Sequence, residues 1–421
     1  MRDTAIPDAS TPVAPGGTSD GLTRRIPLSE PSMSGNEWAY VKECLDTGWV
    51  SSVGGYVDRF EKETAEFVGV RHAIATVNGT AALHVALLVA GVQPGDEVLV
   101  STLTFIAPAN AIRYVGAWPV FIDAEADYWQ MDPDRVAIFL EHDCRPKDGG
   151  LVNRHTGRRV AAILPVDILG HPVQAGPIVD LARKYGLAVV EDATEGLGAR
   201  YRDRKVGALG DVACLSFNGN KIITTGGGGM ILTDDEAWAQ KARHLTTQAK
   251  EDPLEYVHKE IGFNYRLTNV LAAIGVAQLE QLDAYVARKR EIAARYTQAL
   301  AGVPGISVPR EAPWARSTFW LYTILVDAGR FGMGSRDLLR QLQRNGIQSR
   351  PLWQPMHRSA AHEKAWWTGG EVADRLNREA LSLPCSVSLT PEDQAFVLER
   401  LRDAANGRLS RTTTSLTGDA D

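Results

Sequence analysis

The sequence is poor in the features that mark several large classes of protein. Only four of its 421 residues are cysteines, and Cys44, Cys144, Cys214 and Cys385 are far apart, with no CxxC pair. This spacing argues against a disulfide framework and a structural zinc site, and we expect no metal. The formal net charge is −6, so the sequence lacks the basic excess that is typical of nucleic-acid-binding proteins.

Long hydrophobic runs are missing as well. The longest apolar stretch, residues 81–92, is interrupted by His84 and is too short to cross a bilayer, so we expect no membrane association. Residues 1–24 are rich in Pro, Gly, Ser, Thr and Asp and lack the apolar centre of a signal peptide. We therefore predict a cytoplasmic protein with disordered tails at residues 1–24 and 410–421.

The central part of the chain alternates between short apolar strands and helices. Strands are predicted at residues 73–77, 97–101, 120–123, 161–166, 187–192, 212–217 and 229–233, and helices at 80–90, 107–115 and 177–185. This alternation predicts an α/β fold with a large, mostly parallel sheet covered on both faces. We assign residues 25–285 to this large domain, including an N-terminal arm.

A smaller α+β domain is predicted to follow, at residues 286–409. One long helix at residues 269–300 is predicted to link the two domains. The smaller domain is predicted to contain a strand at residues 319–326 and helices at 335–345 and 391–405.

Two strand ends in the large domain carry side chains of complementary chemistry. Asp192 ends one strand, and Lys221 closes the run Ser-Phe-Asn-Gly-Asn-Lys that begins at Ser216, near the end of another. Ligands of such sheets bind beyond the carboxyl ends of the strands. Pyridoxal 5'-phosphate (PLP) needs a lysine that binds it covalently and a carboxylate that keeps its pyridine nitrogen protonated. The sequence therefore predicts a PLP enzyme in which Lys221 and Asp192 are catalytic.

The turn Asn78-Gly79-Thr80 is a candidate phosphate site, because it joins a strand to a helix. Gly79 lets the backbone approach a phosphate, and the helix N-terminus supplies free N–H groups. We expect the Ser216 hydroxyl to bind the same phosphate and Phe105 to stack on the pyridine ring. Locally, Thr80 could equally be an ordinary N-cap and Phe105 a core residue. The turn is not GxGxxG, so a nicotinamide site gains little support.

These segments together resemble the DegT–StrS family of PLP-dependent sugar aminotransferases, which have the aspartate-aminotransferase fold (fold type I). The resemblance spans about residues 26–406 and is carried by residues 79–84, 104–105, 191–195, 216–221 and 262–266. It implies that Glu195 belongs to the cofactor site, that Asn264 meets the PLP phosphate of a neighbouring subunit, and that Arg266 meets its substrate. The active unit would then be a homodimer with shared sites. A structural salt bridge is the alternative for Arg266.

The substrate is also suggested by resemblance. Residues 49–54, 218–229 and 248–250 are similar to enzymes that aminate C4 of UDP-4-keto-6-deoxy-N-acetylglucosamine, for surface glycan or nonulosonic acid synthesis. This implies L-glutamate as the amino donor and substrate contacts at Ser51 and His357, although an isolated histidine is more often structural. Candidate cations for the diphosphate are Arg266, Lys250 and Arg350.

Three alternatives remain open at this point. GDP-perosamine synthases are also similar in sequence, and would act on a GDP-linked sugar. A non-catalytic nucleotide-sugar-binding regulator with the same fold is disfavoured, because binding alone would not need both Lys221 and Asp192. A PLP enzyme acting on amino acids would need an arginine clamp for two carboxylates.

Overall fold

A ten-stranded sheet forms the centre of the molecule. The computed structural model describes residues 24–407 except 148 and 253, so both predicted tails lie outside the described residues apart from Arg24. The strands are β1 (His72–Thr76), β2 (Glu97–Ser101), β3 (Trp118–Ile122), β4 (Cys144–Lys147), β5 (Gly150–Asn153), β6 (Arg159–Leu164), β7 (Ala188–Asp192), β8 (Arg200–Tyr201), β9 (Arg204–Lys205), β10 (Val212–Ser216), β11 (Gly229–Thr233), β12 (Lys250–Asp252), β13 (Val257–His258), β14 (Ile306–Ser307), β15 (Ala315–Arg316), β16 (Tyr322–Val326), β17 (Trp366–Thr368) and β18 (Ala380–Leu383).

Helices cover the sheet and build the C-terminal part of the chain. They are α1 (Glu37–Thr47), α2 (Gly55–Val68), α3 (Gly79–Val89), α4 (Ala107–Tyr114), α5 (Pro133–Ile138), α6 (Ala175–Tyr185), α7 (Glu236–Thr246), α8 (Asn269–Leu279), α9 (Leu282–Leu300), α10 (Ala328–Phe331), α11 (Ser335–Arg344), α12 (Glu371–Glu379) and α13 (Pro391–Ala405).

The large sheet has the strand order β1-β11-β10-β7-β6-β2-β3-β17; outside this order, β5 pairs with β6 and β4 pairs with β5. From β10 to β17 these strands run parallel, whereas β11 is antiparallel to both of its neighbours. Every residue of β2 and β11 is buried, because helices lie on both faces, as parallel sheets require. The predicted α/β class with a mostly parallel sheet is confirmed.

The helix predicted over residues 269–300 is wrong as a single element. It is two helices, α8 and α9, which meet at 58°. Apolar α8 packs on α1 and α2, while the amphipathic α9 packs on α13. Each helix therefore follows its own packing surface, which the shared helical periodicity did not reveal. No single helix of the described chain is long and apolar enough to cross a membrane; only the bent α8–α9 pair, taken together, reaches that limit.

The C-terminal part has its own three-stranded antiparallel sheet, in the order β14-β16-β18. Its core is closed by α9, α11 and α13 and includes fully buried Tyr296 and Tyr322. Several contacts tie it to the rest of the molecule, among them two strand pairings. Strand β17 pairs with β3 in the large sheet, and Ile26, near the start of the described chain, is buried in the C-terminal core and pairs with Ile347.

Candidate active site

A cavity of about 360 Å³ lies beyond the carboxyl ends of β7 and β10. This is the edge of the sheet at which ligands of α/β folds bind. Seven of the residues predicted for catalysis or for the cofactor line the cavity: Gly79, Thr80, Phe105, Asp192, Glu195, Ser216 and Lys221. Residues that are up to 142 positions apart in the chain therefore meet in one place.

Lys221 projects into this cavity from the loop that joins β10 to β11. Its Nζ lies 3.6 Å from Oε1 of Glu195, and its side chain is 13% exposed. The loop is held at its base, because the Phe217 amide donates to the Gly228 carbonyl at 2.8 Å and the Thr224 hydroxyl donates to the Phe217 carbonyl at 3.0 Å. The lysine is thus presented by an ordered loop, and the glycines at its end do not form a loose linker.

Asp192 is the carboxylate at the end of β7 and is almost completely buried. Its Oδ1 accepts a hydrogen bond from the Thr194 amide at 3.1 Å. Burial raises the pKa of Asp192, while its hydrogen bonds with Thr194 and the charge of Lys221 act in the opposite direction. A cation placed against this carboxylate would be poorly screened by water, so the pair would be strong.

The two neighbouring acids are occupied by other groups. Glu191 accepts backbone N–H groups of Gly207 at 2.7 Å, Leu209 at 2.8 Å and Gly210 at 3.2 Å, and it does not line the cavity. Glu195 accepts the Leu169 amide at 2.9 Å through Oε2 and faces Lys221 with Oε1. Burial raises the pKa of Glu195, and the charge of Lys221 opposes the shift.

At the turn before α3, the backbone of Gly79 lies close to the end of β10. A Cβ on Gly79 would lie 2.8 Å from Cβ of Ser216 and 3.3 Å from Cγ2 of Thr194, so a side chain there would fill the space between the turn and the end of β10. The Asn78 side chain caps α3 by accepting the Ala81 amide at 2.8 Å. The first N–H groups of a helix have no partner within it, and together with nearby hydroxyls they suit a phosphate group.

Two residues assigned to a neighbouring subunit lie outside this chain's cavity. Asn264 is exposed and its backbone bridges to Thr247. Arg266 donates to the buried Glu61 at 2.5 Å, and its side chain is 12% exposed. The salt bridge that the sequence left open for Arg266 is therefore present. Its role in a partner's site stays a prediction.

The two predicted substrate residues, Ser51 and His357, also lie outside the cavity. The Ser51 carbonyl accepts the Asn269 amide at 2.6 Å. The His357 ring is buried, with Nδ1 2.7 Å from the Thr102 hydroxyl and Nε2 3.3 Å from Asp374. Burial lowers the pKa of His357. These contacts fit the structural histidine that was the alternative left open for it, and the substrate contacts of Ser51 and His357 stay predictions.

Three residues of the C-terminal part also line the cavity, and two of them were missed. Arg350 was a candidate for the diphosphate, whereas Trp320 and Trp353 had been assigned no role. Trp353 belongs to the same segment as His357, so the segment was identified but the contributing side chain was not. Lys250, another diphosphate candidate, instead holds its amine 4.6 Å above the ring centre of Tyr256.

Sequence similarity to known proteins identifies the family of this chain. Residues 31–402 match the model of the DegT/DnrJ/EryC1/StrS aminotransferase family. The chain belongs to this family. PLP is the family's cofactor, and this protein is accordingly a PLP-dependent sugar aminotransferase. The described residues fit the group, since a lysine, a buried carboxylate and an unobstructed turn at Gly79 surround one cavity.

Two relatives align with this protein over nearly the whole chain. GDP-perosamine synthase from Caulobacter vibrioides is 42% identical, over 90% of this chain and 97% of the relative. GDP-perosamine synthase from Escherichia coli O157:H7 is 37% identical, over 90% of this chain and 98% of the relative. Among solved structures, the aminotransferase TlmJ from Streptoalloteichus hindustanus superposes with a TM-score of 0.82 at 29% identity, covering 91% of this chain and all of that one.

Proposed function

We propose that this enzyme transfers the amino group of L-glutamate to C4 of a nucleotide-linked 4-keto-6-deoxyhexose. The observation that carries the proposal is the meeting of Lys221, Asp192 and the Gly79 turn around one cavity. When bound, PLP supplies an electron sink and a temporary carrier for the amino group. In this assignment Asp192 holds a proton on the pyridine nitrogen, while Gly79, Thr80 and Ser216 hold the phosphate.

Lys221 is the group that moves the proton. Once displaced by the incoming amine, its Nζ takes the proton from Cα of the donor and later returns one to the sugar carbon. The amine stays tethered beside the bond that breaks, which gives it a high effective concentration. The Glu195 carboxylate, 3.6 Å from Nζ, stabilises the ammonium that forms at this step.

A GDP-linked sugar is the acceptor that the relatives favour. The two relatives described above, at 42% and 37% identity, are both GDP-perosamine synthases, which was the alternative substrate class from the sequence. UDP-4-keto-6-deoxy-N-acetylglucosamine is the second candidate, because residues 49–54 and 218–229 resemble enzymes that act on it. We further propose a homodimer in which Asn264 and Arg266 complete the partner's site.

Product analysis tests the reaction and the substrate separately. Purified enzyme with PLP and 15N-labelled glutamate is given GDP-linked and UDP-linked 4-keto-6-deoxy sugars, and the products are identified by mass spectrometry. We expect labelled 4-amino sugar from the GDP-linked acceptor together with 2-oxoglutarate, and no product from Lys221→Ala. Product from the UDP-linked acceptor alone would overturn the GDP assignment. Absence of an aminated product from every acceptor would overturn the proposed reaction.

A further inference from the structure

The amine of Lys221 lies against two different groups. One is the Glu195 carboxylate, with Oε1 3.6 Å from Nζ. The other is the indole of Trp320, whose ring centre is 4.4 Å from the same Nζ. An ammonium within about 6 Å of a tryptophan face is attracted by the negative potential of the ring. Both neighbours therefore favour the protonated amine.

Trp320 is fixed in this place by its own contacts. Trp320 is 3% exposed as a whole residue, and its Nε1 donates to the carbonyl of Asn220, the residue before Lys221, at 2.8 Å. Its backbone carbonyl accepts a hydrogen bond at 3.0 Å from the buried amine of Lys289, which also donates to the Cys385 carbonyl at 2.8 Å. The indole is thus tied both to the lysine loop and to the core of the C-terminal part.

One turn contacts both neighbours of the lysine, Glu195 and Trp320. Leu169 and Gly170 have positive φ values of 60° and 85°, and a leucine rarely adopts such a conformation. The Leu169 amide donates to Glu195 Oε2 at 2.9 Å. A Cβ on Gly170 would lie 2.6 Å from the Trp320 amide nitrogen and 2.3 Å from the Thr318 hydroxyl. Unusual backbone that the surrounding structure maintains is often found at functional sites.

We propose that Trp320 is a positioning residue for Lys221. Its indole face holds the released ε-amine beside Glu195 and stabilises it while it carries the proton between donor and acceptor carbons. The Leu169–Gly170 turn sets the spacing of both neighbours. This inference rests on the proposed function, in which Lys221 binds the cofactor and moves the proton.

Single-turnover kinetics of the holoenzyme test the role of the ring. The reaction with glutamate is followed by the visible absorbance of the bound cofactor over a range of glutamate concentrations. Loss of a cation–π contact in Trp320→Leu should lower the limiting rate about three- to thirtyfold and leave the half-saturating glutamate concentration within about twofold. Trp320→Phe keeps a ring face and should restore most of the rate. Trp238→Leu, on α7, is the matched control and should behave as wild type.

A second measurement does not depend on turnover. Cofactor-free protein is treated with trace acetic anhydride, and acetylation of Lys221 is measured by mass spectrometry relative to Lys62, whose side chain is 75% exposed. The Trp320 ring favours the protonated ammonium, which does not react with the anhydride. Trp320→Leu removes this interaction and also makes the Lys221 amine more accessible. Acetylation of Lys221 should therefore rise about threefold or more, by the same scale.

Fluorinated tryptophan keeps the proposal testable where Trp320→Leu does not fold. Fluorination preserves the shape of the indole and weakens the negative potential of its face. The limiting rate should fall stepwise with fluorine number in wild type and stay constant in Trp320→Phe, although the other nine tryptophans are fluorinated in both.

Two outcomes would overturn the positioning role: a rate that is independent of fluorination, or a Trp320→Phe variant as slow as Trp320→Leu. Borohydride reduction and peptide mapping separate this failure from that of the proposed function. Cofactor found on a lysine other than Lys221 contradicts the proposed function itself. Cofactor on Lys221 with kinetics unaffected by changes at Trp320 contradicts only the positioning role.

Discussion

Asp192→Asn removes one charge from the site and keeps its shape. The asparagine oxygen can still accept the Thr194 amide, which lies 3.1 Å from the present Oδ1, so the local backbone should be preserved. Only the negative charge that would hold a proton on the pyridine nitrogen is lost. Glu191 cannot replace it, because its oxygens accept three backbone N–H groups.

The size of the effect follows from the burial of this carboxylate. Asp192 is 2% exposed, so water would screen its interaction with a cation very little. Removing a preorganised electrostatic group from such a site costs about 3 kcal/mol of transition-state stabilisation, which corresponds to about a hundredfold in rate. We expect a loss of kcat of this size in Asp192→Asn, with cofactor still bound.

The assay is a thermodynamic cycle that combines the Asp192→Asn change with a change of cofactor. The second cofactor is an analogue of PLP in which carbon replaces the pyridine nitrogen. If Asp192 acts through that nitrogen, wild type with the analogue should lose about as much rate as Asp192→Asn with PLP, and the two changes together should cost little more. Glu195→Gln is the control from the same cavity, and its effect should persist with the analogue. Near-normal activity of Asp192→Asn with PLP would refute the reasoning.

Three further predictions concern cofactor binding, stability and assembly. Gly79→Ala places a Cβ 2.8 Å from a neighbouring side chain and should weaken PLP binding about tenfold or more by fluorescence titration. Gly219→Ala, where a Cβ meets nothing within 4 Å, should bind normally. Burial lowers the pKa of His171 to about 4, below about 6.5 in the unfolded chain, so the unfolding free energy should fall by about 2 kcal/mol between about pH 7 and pH 5. Urea unfolding of His171→Gln should lack this component. Mixing Lys221→Ala with Arg266→Ala subunits should restore activity if each site is shared.

Burial sets the direction of the pH effect at His171, and the hydrogen bond that its ring accepts acts in the same direction. Nδ1 lies 2.8 Å from the Pro172 carbonyl and therefore donates, while Nε2 accepts the Ala312 amide at 3.1 Å. Only the neutral ring satisfies both contacts, so the unfolded chain binds the extra proton as pH falls and stability is lost. A pH profile of His171→Gln that matches wild type would contradict this assignment. The exposed His142 provides the control, and His142→Gln should keep the wild-type profile.

The part of the site that sequence predicted is the part that local chemistry specifies. Lys221, Asp192 and Gly79 each sit at a junction between a strand and a loop or helix, and such junctions can be recognised from apolar runs and glycine. Since the carboxyl ends of parallel strands share one edge of the sheet, the strand pattern places these residues at the same edge. The order of the parallel strands could not be predicted in the same way, because it depends on packing between distant segments.

The residues that were missed come from the C-terminal part of the chain. Trp320 reaches the cavity because β16, the small sheet and the Leu169–Gly170 turn are packed together, and no local pattern records that packing. The break between α8 and α9 has the same origin, since both halves are good helices with different partners. Prediction from one sequence therefore succeeded within segments and failed where two segments decide a position.

The salt bridge of Arg266 changes how the shared site has to be tested. Glu61 is buried and accepts Arg266 at 2.5 Å, Arg243 at 2.8 Å and the Ala75 amide at 2.8 Å. Arg266→Ala removes one partner of this carboxylate, so it should destabilise the subunit as well as any site that it completes. Complementation with Lys221→Ala is therefore best run with Arg266→Lys, which keeps the charge but not the planar guanidinium. With each variant inactive alone and the subunits shown to be folded and mixed, recovered activity requires one site free of both changes. Continued inactivity in such mixed dimers would mean that each site is built from a single chain.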